Sequence, residues 1–218
     1  METLKNLSNI CEPDPRQRSI VVIDPTLLNG SRQITLEDRY NDMAELELPE
    51  NIPEKLRSAF AVARNLWLYG WFQWPFYTLA SFEAYRCIEM ALHIRCENDG
   101  VYTELGKKRK NTGLRWLMNQ AVQRNWLKDH KFKHFQRSED KRKKMLCITS
   151  ELLDTTIFEE FPSQKYCDIL ADTIPSLRNF HAHPDAYSHG MPGSSKLDLE
   201  LARDIILQLF LECDTDSL

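Results

Sequence analysis

The chain has 218 residues, a formal net charge of −4 and a sequence pI near 5.9, enough for one domain with an appendage or for two small ones. With 42% apolar residues, 28% charged residues and only 7 glycines, collagen-like, low-complexity and wholly disordered classes are excluded. Sandwiches that need a turn every few residues are disfavoured as well. No run approaches the roughly 18–20 apolar residues of a membrane span, and Met1 to Asn6 lacks the order of a secretory signal, so a soluble, mostly helical, cytoplasmic protein with no membrane partner is expected.

Residues 1–53 read as an irregular, acidic N-terminal extension. It holds a short β-prone run, Ser19 to Ile23, turn signals at Asp24-Pro25 and Asn29-Gly30, and a boundary at Pro49 and Pro53. From Pro53 the character changes. Leu56, Phe60, Ala63, Leu66 and Trp67 stand at helical spacing and predict a first long helix, punctuated by Gly70 and Pro75. Phe76 to Cys96 predicts a second helix, apolar over most of its circumference, as in an element at the centre of a bundle. At about 100° per residue its polar Glu83, Arg86, Glu89 and His93 fall in one arc.

A third helix is predicted from about Leu114 to Trp126, capped by Asn111 or Thr112. Lys128 to Ser138 reads as a basic loop, and Met145, Ile148 and Leu152 mark a helix over Glu139 to Leu153. Pro162 and Ser163 open a further helix, kinked or restarted at Pro175 and stopped at His183-Pro184. A final helix is predicted from the capping-box spacing of Ser195 and Asp198, with Leu197, Leu201, Ile205, Leu209, Phe210 and Cys213 inward. The sum is all-α: an antiparallel helical bundle over 54–218 behind the extension.

Six scattered cysteines form no C-x-x-C pair and no disulfide framework. Charge is unevenly spread. Leu105 to Met145 carries 14 Lys/Arg against 3 Asp/Glu, a local +11, so the remainder carries −15. Within that segment Lys107, Lys108, Arg109 and Lys110, and again Lys141, Arg142, Lys143 and Lys144, flank Trp116, Trp126, Phe132 and Phe135. Cations beside aromatic rings suit single-stranded RNA, neutralising phosphates and stacking bases. A solvated charge run, or a nuclear-localisation signal at Lys107 to Lys110, is the alternative.

Arg178, Asn179 and His183 carry the sharpest chemical signal. An arginine and a histidine five positions apart diverge by about 140° on an unbroken helix. Pro184 forces a break after His183 that lets the imidazole turn back toward the guanidinium. A guanidinium neutralises a phosphoryl oxygen and an imidazole moves protons near neutral pH, the two groups that phosphodiester cleavage needs.

At these residues the chain resembles the HEPN family of helical-bundle proteins, whose signature is Arg, a polar residue that is often Asn, a short spacer and His. The helix order around the motif fits too, and the resemblance spans roughly residues 54 to 214. It implies a metal-independent endoribonuclease of the toxin or defence kind, with attack of the ribose 2′-OH on the adjacent phosphate. Arg178 would stabilise the phosphorane, His183 would act as general acid or base and Asn179 would orient groups. It further implies a homodimer with RNA as substrate, and an antitoxin or regulatory protein as partner. Family toxins silenced by adenylylation carry Tyr two residues after the His, whereas Asp185 stands there in this chain, which argues against that control. A non-catalytic HEPN-like module that binds a protein or nucleotide is the alternative.

His181, one turn from Arg178, is an auxiliary candidate. Glu83, bordering the apolar stripe of its helix, is another, with Arg178 as its expected partner. His181, His183, His189 and Cys167 also raise a zinc reading. His-x-His suits strands better than helices and no acidic base stands at a fixed offset, so neither metal nor cofactor is expected.

Overall fold

The computed structural model describes residues 4–28, 30–140, 165–182 and 190–211. It is predominantly helical, in keeping with the expected bundle class. In chain order the helices are α1 (Leu36–Ala44), α2 (Glu54–Tyr69), α3 (Phe76–Asn98), the single turn α4 (Val101–Glu104), α5 (Leu114–Gln123), α6 (over 133–140), α7 (Tyr166–Ala182) and α8 (Pro192–Phe210). Strands β1 (Val21–Ile23) and β2 (Ser31–Gln33) form an antiparallel hairpin with Val22 opposite Arg32. Among the described residues no helix is long and apolar enough to cross a membrane.

Contacts divide the chain into two units, Met1–Cys87 with His181–Glu200, and Ile88–Phe180 with Leu201–Leu218.

In the first unit the N-terminal extension has structure of its own. The β-prone run becomes β1, and α1 follows behind a capping box in which Asp38 N–H donates to Thr35 Oγ1 and Thr35 N–H donates to Asp38. Ile34, Met43, Leu46, Leu48 and Ile52 are buried, as are Leu56, Phe60, Ala63 and Trp67 on the inward face of α2. Two buried polar residues of the extension hold the turn between α2 and α3. Gln17 Nε2 donates to Gly70 O at 3.1 Å and to the Tyr77 hydroxyl at 2.9 Å. Asp14 accepts from Arg16 and from Trp74 N, and these bonds outweigh burial and hold its carboxyl below the usual range. The Arg39 guanidinium lies 5.0 Å from the Trp67 ring and 5.9 Å from the Tyr77 ring. Gly70 is required here, because a Cβ would stand 2.6 Å from the Tyr77 ring.

The final helix starts a turn earlier than its capping-box spacing suggests. Ser195 is buried inside α8 and its N–H donates to Met191 O, while the Asp198 carboxylate accepts the Tyr85 hydroxyl at 2.6 Å. Asp198 is thus used by a distant ring rather than as part of a cap.

In the second unit Ile88, Leu92, Leu117, Met118, Phe132, Ile174, Ile205 and Ile206 are fully buried. α5 ends at Gln123, short of the expected Trp126. Asn125 takes φ 55°, Trp126 N–H donates to Ala121 O and Asn125 N–H to Val122 O, closing the helix in a Schellman turn. The expected basic loop over 128–138 is helical from 133. Its start is capped from far along the chain, by Lys133 N–H donating to the buried Asp204 carboxylate at 3.1 Å, with Phe132 buried beside it. Asp129 does the same for α7, accepting from Tyr166 N and Cys167 N at 3.0 and 2.9 Å. α7 (Tyr166–Ala182) continues through Pro175, so of the expected kink or restart there the restart does not occur; the expected stop at His183-Pro184 lies outside the described residues. Most of the helix expected over Glu139 to Leu153, and the opening at Pro162 and Ser163, lie outside the described residues.

Candidate functional site

Arg178 and Asn179 sit in the last turn and a half of α7, within the second unit. The Arg178 side chain keeps 34% exposure. Its Nη2 donates to Glu89 Oε2 at 3.2 Å and its Nη1 to Asn179 Oδ1 at 3.2 Å. Nε–H is buried with no acceptor among the described residues. The guanidinium is therefore oriented from two sides, and each Nη retains a second N–H. A partly exposed pair of this kind contributes about 0.2–1 kcal/mol, so its main effect is on orientation.

The acidic residue that meets Arg178 is Glu89, not the expected Glu83. Glu83 lies in the first unit and accepts from Arg86 at 2.7 Å, an ordinary i,i+3 helix pair. Both carboxylates belong to the polar arc of α3 that the sequence reveals. Which of them meets α7 depends on packing that helical spacing does not encode.

His181 lies in the first unit. Its ring stacks on Tyr85 at 5.8 Å between centroids, and the Tyr85 hydroxyl is bound to Asp198. Burial holds His181 below the ordinary histidine value, against the pull of Asp198, and burial together with Asp198 pushes the Tyr85 hydroxyl far up. At neutral pH His181 is a neutral ring in an aromatic setting, suited to packing and hydrogen bonding.

His183, His189, Lys141, Arg142, Lys143 and Lys144 lie outside the described residues. Lys107, Lys108, Arg109 and Lys110 are all exposed. Arg109 pairs with Glu97 at 2.7 Å, and the three lysines have no ion-pair partner among the described residues.

The aromatics expected beside the basic runs divide by environment. Phe132 is fully buried and packs edge-on against Tyr166, so it cannot stack on a base. Phe135 also faces Tyr166, and Trp126 lies under the Arg95 guanidinium at 5.3 Å. Trp116 is half-buried and stacks on Tyr102 with centroids 5.9 Å apart and planes 17° from parallel. Tyr102 belongs to no motif or basic run of the sequence. Its signal was its place in the turn just before the Lys107 run.

One face of α3 ties these groups together within the second unit. Glu89, His93 and Glu97 follow at four-residue spacing and meet Arg178, Tyr102 and Arg109 respectively. His93 Nδ1 is hydrogen-bonded to the Tyr102 hydroxyl. Burial first, and then the Arg109 charge, hold His93 below the ordinary histidine value, against the pull of Glu89 and Glu97. A shift in this direction favours the neutral imidazole at neutral pH, and its tautomer sets which of Nδ1 and the Tyr102 hydroxyl donates.

Two adjoining clefts of about 290 and 220 Å³ lie in the first unit, both bordered by Ala61 and Arg64 of α2; neither is lined by a residue of the motif. Among the described residues no group of three or more His, Cys, Asp or Glu is placed to hold a metal ion.

No protein-family model, curated protein or solved structure matches the chain. The HEPN resemblance accordingly stands on the Arg178, Asn179, His183 spacing and on helix order.

Proposed function

We propose that this chain is a HEPN-type, metal-independent endoribonuclease, cytoplasmic and homodimeric, acting in defence or as a toxin under the control of an antitoxin or regulatory protein. The observation that carries the reading is the setting of Arg178. Its guanidinium stands in the last turns of α7, held by Glu89 and Asn179, partly exposed and with a second N–H on each Nη that these two bonds do not use, five residues before His183 in the sequence.

In this reading the ribose 2′-OH attacks the adjacent phosphorus while His183 accepts its proton. Arg178 neutralises the non-bridging oxygens as charge builds on the phosphorane. The P–O5′ bond then breaks, a proton passes to the leaving 5′-oxygen, and a 2′,3′-cyclic phosphate and a 5′-hydroxyl are formed. Asn179 and Glu89 act through Arg178 as positioning residues. The positive 105–145 segment supplies the RNA contact, with Lys107, Lys108 and Lys110 available for phosphates.

One observation favours the non-catalytic alternative. The Arg178–Glu89 pair satisfies part of the guanidinium inside the protein, as a purely structural arginine would be satisfied. Cleavage of labelled RNA in EDTA by wild type, R178A and H183A separates the two readings. An endoribonuclease cuts in chelator and is silenced by either substitution. A binding module leaves RNA intact in all three.

A further inference from the structure

The loop 105–113 is pinned at both ends by the aromatic pair that flanks it. On its N-terminal side Tyr102 belongs to α4, which closes in a Schellman turn at Gly106, φ 59°, with Lys107 N–H donating to Tyr102 O at 2.9 Å and Gly106 N–H donating to Thr103 O. Lys107 therefore leaves directly from the backbone of Tyr102. On the C-terminal side Trp116 stands in the first turn of α5. The two rings stack across the base of the loop, and His93 fixes the tyrosine hydroxyl from α3, with its ring 6.2 Å from that of Tyr102. The result is a run of three rings, His93, Tyr102 and Trp116, with the Lys107 to Lys110 cations in the loop that joins the last two.

A ring pair that served only the core would be buried, as Phe132 is. Tyr102 and Trp116 are each half-buried and keep surface in solvent. Arg109 turns back to Glu97, which anchors the loop to α3, while Lys107, Lys108 and Lys110 remain exposed. An aromatic face a few residues from ammonium groups that have no ion-pair partner among the described residues is the arrangement by which a nucleic-acid strand is held, with a base on the ring and phosphates on the cations.

We propose that the Tyr102–Trp116 pair is a base-stacking subsite for single-stranded RNA, with Lys107, Lys108 and Lys110 meeting the phosphates on either side of the stacked base. The inference rests on the RNA reading above and adds where a base is held. His93 is a positioning residue for the subsite, because it fixes Tyr102.

The test uses the full chain and a short, fluorescently labelled 2′-O-methyl oligouridylate, which lacks the nucleophile and so reports binding without cleavage. Wild type binds it, W116A binds about tenfold more weakly, in line with the loss of one stacked base, and W116F keeps most of the affinity. An abasic oligomer of the same length binds wild type more weakly and does not distinguish wild type from W116A. Because W116A removes a packed ring, W116F supplies an independent measurement in a variant with an intact aromatic core. RNA quenches tryptophan emission in wild type, and that quench is lost in W116F although binding persists. Equal affinity of wild type and W116A for the oligouridylate, or an unchanged quench in W116F, overturns the subsite and leaves the RNA reading standing. Failure of wild type to bind any RNA overturns both. Displacement of RNA by polyglutamate at comparable concentration assigns the loop to an acidic polypeptide and overturns the subsite.

Discussion

Glu89 of α3 accepts a hydrogen bond from Arg178 of α7 at 3.2 Å, while Glu83, two turns earlier on α3, accepts from Arg86. The pairing gives the motif arginine a fixed direction and makes Glu89 the carboxylate whose loss should be felt at the candidate site. Glu89→Gln is expected to cost less than about 1 kcal/mol in urea unfolding, because the pair is partly exposed. It should reduce RNA cleavage chiefly through kcat. Glu83→Gln should leave cleavage at the wild-type level. Single-turnover kinetics of the two variants make the comparison.

The turn between α2 and α3 has no room for a side chain at Gly70. Gly70→Ala drives a methyl group into the fully buried Tyr77 ring and is expected to destabilise by about 1–3 kcal/mol through over-packing. Gln17→Leu leaves Gly70 O and the Tyr77 hydroxyl without their donor and is expected to cost a similar amount, about 1–3 kcal/mol. Chemical denaturation of each single variant checks both values. A loss near zero for Gln17→Leu would show that the N-terminal extension is not held by this contact.

Asn125 occupies the left-handed region at the end of α5. Asn125→Gly should raise stability by a few tenths of a kcal/mol, since glycine enters this region without steric cost, whereas Asn125→Val should lower it by about 1 kcal/mol or more. Thermal melts of the pair give opposite signs if the Schellman turn is formed.

His93 and His181 are both held below the ordinary histidine value, chiefly by burial. A histidine with a lowered folded pKa binds its proton more readily in the unfolded chain. The stability it contributes is thus complete above the unfolded value of about 6.5 and is lost as pH falls below it toward the folded pKa. Unfolding midpoints are expected to fall between pH 7 and pH 5, and His93→Gln should flatten that slope. A slope of opposite sign would mean that the imidazole is held protonated, donating to Tyr102.

Much of the fold is legible in the sequence where local pattern and tertiary packing agree. α2 and α3 follow from the spacing of Leu56, Phe60, Ala63 and Trp67 and from the apolar circumference after Phe76. Where structure depends on distant groups, the sequence is silent. α6 begins at 133 because Asp204 caps it, and Asp198 is drawn to Tyr85 instead of capping α8. α1 is a different case, since Thr35 and Asp38 stand at capping-box spacing in plain view, masked by the acidic, irregular character of the residues around them. The candidate site divides in the same way. The spacing of Arg178 and Asn179, and the polar arc of α3, can be read directly, but which carboxylate meets the guanidinium, and which ring stacks on Trp116, are set by how the helices pack.

End-group analysis of RNA incubated with the purified protein in EDTA tests most directly the proposal that Arg178 and His183 cut RNA without a metal. Wild type should release fragments ending in 2′,3′-cyclic phosphate, and R178A and H183A should release none. Equal cleavage by wild type and both variants, or no cleavage by any of them, would contradict it.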